Sequence, residues 1–245
     1  MLTFAITTTT KLAGISLHKD NKILGEIKIE VSRTHSTTIL DQIDSLFAWT
    51  GEKLDNVENV LVSIGPGSFT GVRIAISVVK GMFYGKNVNF YQVNELDALA
   101  YQAFYSLDSN FLSQNSGSKE NSKIEIYSMI DSGKEKIYCA AYETEASKQK
   151  LKQIEDYEVI KLEKLLEKLD NKNKKIVIIG DAGINYKEKI TGTLKNKVLF
   201  LTDDRMRIST ATFVQMFLNN VLEKSDIFQL KPDYLEKSQA ERDKK

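Results

Sequence analysis

Apolar and polar positions along the chain fall into an order of elements that occurs twice. Residues 2–9, 12–18 and 23–31 are rich in β-branched and aromatic side chains and are parted by turn signals, notably Lys19-Asp20-Asn21-Lys22, which predicts three strands. Ile39, Leu40, Ile43, Leu46 and Phe47 then recur at helical spacing and predict a helix over 36–49. A strand over 60–64, an apolar helix from about Thr70, a strand over 88–93 and a helix over 95–105 complete the order βββαβαβα.

Between residues 106 and 123 the composition turns polar, and the run Ser113-Gln114-Asn115-Ser116-Gly117-Ser118 reads as a domain junction. The same order then begins again. Residues 124–130, 136–142 and 151–159 read as strands and 162–169 as a helix. Residues 175–179 read as a strand leading into Gly180-Asp181-Ala182-Gly183 and a helix, 198–201 as a strand, and 210–222 as the last helix. A period of about 120 residues points to duplicated domains rather than a solenoid. Hairpins leading into parallel units imply mixed sheets flanked by helices. The expectation is an α/β protein of two RNase H-like/actin-like (ASKHA) halves. The N-terminal half covers 1–106 and docks a partner; the C-terminal half covers 107–245, its last helix packing back on the first half.

One loop carries the strongest candidate chemistry. Ser63-Ile64-Gly65-Pro66-Gly67-Ser68-Phe69-Thr70-Gly71-Val72-Arg73 joins a strand to a helix through three glycines. Free backbone N–H groups at such a place suit a phosphate or carboxylate, so Gly65, Gly67, Ser68, Phe69, Thr70, Gly71 and Arg73 form a candidate anion-binding loop. Neither a P-loop nor a dinucleotide fingerprint is completed, and turn mechanics with close helix packing explain the same glycines. In the helix that follows, Arg73, Ser77, Lys80 and Tyr84 make one narrow polar stripe, and the remaining circumference is apolar. Such a helix is buried on two sides, one of them against a second domain or a second chain.

Composition narrows the partners. The 245 residues include 34 basic and 33 acidic side chains, a net charge of +1, which is no global signature of a nucleic-acid binder. A single cysteine, Cys139, excludes an intramolecular disulfide and a cysteine zinc site. No leader or membrane-spanning run is read, so a cytoplasmic protein with no membrane role is expected. Of the two histidines, His18 is read as an exposed strand end and His35 as a capping or packing residue at a helix start. In the actin, sugar-kinase and heat-shock ATPase superfamily, nucleotide sits between such halves and the first hairpin supplies an Asp for magnesium-bound water. Here that strand ends Ala5-Ile6-Thr7-Thr8-Thr9-Thr10, so a divalent ion lacks this anchor. Asp131-Ser132-Gly133, in the matching hairpin, reads as a plain β-turn.

The run from Ile64 to Arg73 closely resembles the signature of the bacterial TsaB proteins, also called YeaZ. His35-Ser36, Tyr138, Gly180-Asp181-Ala182-Gly183 and Pro232-Asp233-Tyr234-Leu235 fit the same family, so the resemblance spans essentially the whole chain. It implies a noncatalytic scaffold or activator subunit that binds TsaD and recruits the ATPase TsaE. TsaD transfers the threonylcarbamoyl group to the tRNA adenosine beside the anticodon. The resemblance thus implies no catalytic residue, metal ligand or cofactor in this chain, with nucleotide bound at an inter-domain or subunit interface only in the complex and tRNA reached only through it. Family members usually carry Asp at Thr7 and Asp-Ala-Arg at Asp131-Ser132-Gly133. The alternative is an ATP-dependent transferase, or a metallopeptidase of the glycoprotease type, active on its own. The first lacks magnesium ligands in the first hairpin; the second lacks paired histidines, Ile39 standing where the second would be. The docking surface is expected to comprise His35, Ile39, Ile43, Phe47, Gly71, Ala75, Val78, Val79 and Met82, with homodimerisation through the same helices when TsaD is absent.

Overall fold

The computed structural model describes residues 1–30, 35–107, 123–145, 148–172 and 174–236. The first repeat runs β1 (Leu2–Thr7), β2 (Leu12–Lys19), β3 (Lys22–Glu30), α1 (Ile39–Thr50), β4 (Val57–Gly65), α2 (Phe69–Phe83), β5 (Asn89–Asn94) and α3 (Glu95–Ser106). A 3-10 turn, His35–Thr37, precedes α1. The second runs β6 (Lys123–Gly133), β7 (Lys136–Glu145), β8 (Lys148–Lys161), α4 (Leu162–Asp170), β9 (Ile176–Ile179), α5 (Asp181–Asn185), α6 (Lys187–Leu194), β10 (Val198–Phe200), α7 (Asp203–Met206) and α8 (Thr210–Leu218). A two-residue strand, β11 (Lys224–Ser225), follows. The predicted order is therefore present twice, with the helix after Gly180 divided into α5 and α6 and with α7 and β11 as additions.

The sheets repeat as well. Strand order is β11-β5-β4-β1-β2-β3 in one and β10-β9-β6-β7-β8 in the other. In each, the opening strands form antiparallel pairs, the fourth lies parallel beside the first, and the fifth lies parallel beside the fourth. Local signals set the ends. Lys19 pairs with Lys22 across a two-residue turn in which Asp20 takes a φ of 54°, a conformation that Asp tolerates. Gly51, with a φ of 70°, closes α1. Ser68 caps α2 by accepting from the Gly71 amide at 3.2 Å.

By contacts the chain forms two compact units, residues 1–98 with 208–245, and residues 99–207. The sequence reading divides it at 106/107, inside the polar run, whereas the chain changes unit within α3. Residues 208–245 return to the first unit because α8 packs on β1, β2 and β3, and Leu230, 1% exposed, joins their core. In that core Phe4 lies 6.0 Å from Phe47 of α1 and 6.2 Å from Phe83 of α2, so one strand residue ties both helices to the sheet. In the second unit the buried Glu125 carboxylate accepts from Lys172 at 2.7 Å and Lys174 at 2.8 Å. Burial pushes Glu125 upward, but these two ammonium groups outweigh it and hold its pKa below the ordinary value.

Candidate functional site

The Gly-rich loop lies beyond the C-terminal ends of β1 and β4, against the turn of the first hairpin. A side chain at Gly67 would collide with the Thr9 carbonyl, and one at Gly71 with the Thr8 carbonyl. Close approach, not an open cradle, is what these glycines provide. The Ser68 amide donates to the Thr9 carbonyl at 2.6 Å, and the Thr8 hydroxyl donates to the Gly71 carbonyl at 2.6 Å. The Gly71 amide donates to the Ser68 hydroxyl and the Val72 amide to the Ser68 carbonyl, so these two donors, with the Ser68 amide, serve the fold.

The rest of the candidate loop is engaged by the C-terminal segment. Tyr234 stacks on Phe69 with centroids 4.3 Å apart, and the Arg73 guanidinium lies 3.9 Å above the Phe69 ring. Arg73 Nε donates to the Tyr234 hydroxyl at 2.6 Å. The Asp233 amide donates to the Ile64 carbonyl at 2.8 Å, and a side chain at Gly65 would meet the Asp233 carbonyl at 3.1 Å. Thr70 is exposed on the first turn of α2.

A carboxylate does stand near Thr7, though not on β1. Glu95, the first residue of α3, is fully buried and accepts from the Thr7 hydroxyl, at 3.2 and 3.1 Å, and from Ser63. Thr9 joins through the Thr7 hydroxyl at 3.1 Å. Sequence reading missed Glu95 because an acid at a helix start is ordinarily explained by the helix dipole. The knot joins the ends of β1 and β4 to α3.

Face by face, α2 departs from expectation. Ala75 and Val79 are fully buried, with Val72, Ile76 and Phe83, and pack on the sheet. Ile39 and Ile43 of α1, each 1% exposed, belong to the same core, and Gly71 is buried against Thr8. None of these five offers a surface. Val78 and Met82 are only partly buried, as is Phe47, and Ile74 joins them. Periodicity explains the difference. At 100° per residue Val72, Ala75, Ile76, Val79 and Phe83 share one side, while Ile74, Val78 and Met82 lie between that side and the polar stripe. His35 lies on the 3-10 turn before α1.

His18 is buried, not an exposed strand end; its Nε2 lies 3.2 Å from the Ser16 hydroxyl, and burial lowers its pKa despite nearby Glu26. In the second unit the hairpin turns not at Asp131-Ser132-Gly133 but at Lys134 and Glu135, with φ of 54° and 56°; Asp131 lies in β6 opposite Ile137, beside a bulge, its carboxylate accepting from the Gly133 amide at 2.8 Å. It also accepts from Asn185 at 2.9 Å and from the Tyr186 hydroxyl at 3.2 Å. Asp181 accepts from the Asp131 amide at 3.0 Å, and burial pushes its carboxyl up to about 6. Among the described residues no group of three or more His, Cys, Asp or Glu side chains could hold a metal ion. No helix there is long and apolar enough to cross a membrane.

Two hairpin-led mixed sheets in the same strand order define the RNase H-like/actin-like class. Compared with known proteins, residues 21–228 match the family described as TsaD, tRNA N6-adenosine threonylcarbamoyltransferase. The chain is 24% identical over 243 residues to the tRNA threonylcarbamoyladenosine biosynthesis protein TsaB of Bacillus subtilis, covering 98% of this chain and 96% of that one. It is 33% identical over 101 residues to TsaB of Haemophilus influenzae, covering 41% and 42%. YeaZ from Pseudomonas aeruginosa superposes with a TM-score of 0.69 at 18% identity, covering 96% of this chain and 99% of that one. The chain therefore belongs to this family, and within it to the TsaB (YeaZ) proteins.

Proposed function

We propose that this chain is a noncatalytic subunit in the biosynthesis of tRNA threonylcarbamoyladenosine, binding a TsaD-like transferase and recruiting a TsaE-like ATPase to the assembly. The observation that carries the reading is the outer face of α2. Ile74, Val78 and Met82 stack at intervals of four, partly buried against the edge of the core, beside exposed Ser77 and Gly81. A side chain at Gly81 would meet nothing within 4 Å, so nothing inside the fold requires glycine there. Yet a helical glycine costs roughly 0.5–1 kcal/mol relative to alanine. A helix from another chain crossing at Gly81 supplies the reason, because interaxial distance follows the size of the side chains at the contact. Phe47 and Leu40, the latter 53% exposed, share one side of α1 and extend the apolar surface.

Two features speak against an enzyme acting alone. In the loop that would cradle phosphate the Ser68 and Gly71 amides are taken by Thr9 and Ser68, and Glu95 is enclosed by hydroxyls. The chain needs no cofactor of its own and meets tRNA only through the complex. Co-expression with the transferase tests the reading: Val78→Glu should abolish co-purification while leaving the circular dichroism spectrum unchanged. Magnesium-dependent ATP hydrolysis by the purified chain alone would contradict it.

A further inference from the structure

Four neighbouring strands bring polar side chains into one row. Asn89 of β5 is in register with Asn59 of β4, Asn59 with Thr3 of β1, and Thr3 with His18 of β2. Their chain neighbours Phe90, Val60, Phe4 and Leu17 belong to the core that α1 and α2 cover, so by the period of two the row lies on the other face of the sheet. Glu26, in register with Ser16, shares that face and accepts at 2.6 Å from Ser209, the N-cap of α8, so this is the side on which α8 packs. Thr3 is fully buried and Asn59 is 2% exposed.

Part of the row is satisfied from within. Asn89 Nδ2 donates to Asn59 Oδ1 at 3.1 Å, and the His18 ring is met by the Ser16 hydroxyl. Thr3 Oγ1 and Asn59 Nδ2, however, make no hydrogen bond to any described residue. A buried polar group left unpaired loses its hydration without return, so such groups nearly always find protein or ordered water. Here two of them stand next to each other across β1 and β4. The ladder is also irregular at this place: register shifts between Leu2 and Thr3, and the Leu2 amide donates to the Glu58 carboxylate at 3.0 Å.

We propose that Thr3 and Asn59 form a binding site for one internal water molecule, which accepts from Asn59 Nδ2 and bonds to Thr3 Oγ1. Neighbouring strands lie about 4.7–4.9 Å apart, so one molecule of this size reaches both side chains where neither reaches the other. A hydroxyl and an amide are neutral, and burial lowers the pKa of the adjacent imidazole, which keeps His18 uncharged at neutral pH. Such surroundings suit a neutral molecule that both accepts and donates, and burying an ion among them would be far costlier. The bridge extends the bond between Asn89 and Asn59 to Thr3, tying β5, β4 and β1 through side chains on the face that α8 packs against. It is independent of the docking face on α2.

A high-resolution crystal structure of the whole chain, with water-selective NOE and ROE spectra of the labelled protein, tests the site. One water should lie within hydrogen-bond distance of both Thr3 Oγ1 and Asn59 Nδ2, and the Asn59 side-chain amide should show a cross-peak to a long-lived water. Thr3→Val, close in shape but without the hydroxyl, should lose both the water density and the cross-peak. Thr3→Ser should keep both. If Thr3→Val fails to fold by circular dichroism, the wild-type density decides alone. A direct hydrogen bond between Thr3 and Asn59, an ion at the site, or a water unmoved by Thr3→Val would overturn the proposal.

Discussion

Gly71 and Gly81 sit on the same helix for opposite reasons. A methyl group at Gly71 would run into the Thr8 carbonyl, whereas one at Gly81 would meet open space. Gly71→Ala should therefore destabilise the fold by about 1–3 kcal/mol, as overpacking commonly does, read from urea denaturation. Gly81→Ala should stabilise the isolated chain by roughly 0.5–1 kcal/mol and yet weaken its binding to the transferase. A change of binding opposite in sign to the change of stability cannot come from folding. Asp181 gives a second residue-level test. Its folded pKa, about 6, lies above the ordinary 3.8, so its contribution to stability is fully present below about 3.8 and lost as pH rises through about 6. Asp181→Asn keeps an acceptor for the Asp131 amide and removes that loss. The variant should gain about 2–3 kcal/mol over the wild-type chain at pH 8 and nothing at pH 3.5, as measured by denaturation at the two pH values.

At the scale of elements, α2 separates two neighbouring valines. Val79 is fully buried and Val78 only partly so, at the rim of the core, so Val79→Glu should unfold the domain, whereas Val78→Glu should keep the circular dichroism spectrum and lower the melting temperature far less. The reverse pattern would put the docking face on the other side of the helix. Sequence pattern made α2 legible as a helix apolar on too many sides, because periodicity reports which positions share a face. It could not say which apolar face the helix's own sheet would take, and Ala75 and Val79 went to the sheet. The strands and their repeated order were legible for the same local reasons. What escaped depends on residues far apart in the chain: Glu95 beside Thr7, 88 positions away, and Glu26 beside Ser209, 183 positions away. The apolar residues of α8 say that it must be buried, not on which sheet. The Gly-rich loop was visible as a candidate site; that its Ser68 and Gly71 amides answer to Thr9 and Ser68 needed coordinates.

At the scale of the whole molecule, the element order and strand order recur in two units of the same design. The hairpin turn of the first unit is filled by its own Gly-rich loop, and at the end of β6 in the second Asp131 accepts from Gly133, Asn185 and Tyr186. On the first unit a partly buried apolar stripe lines one side of α2. On the proposed reading, the chain acts through what it holds there. Reconstitution of threonylcarbamoyl transfer to tRNA from purified components measures this most directly, with the transferase and ATPase held constant and this chain added as wild type, Val78→Glu or not at all. Modification should require the wild-type chain, fall to the level of its omission with Val78→Glu, and be absent when this chain is the only protein present. Full modification without the chain, or transfer by the chain alone, would contradict the account.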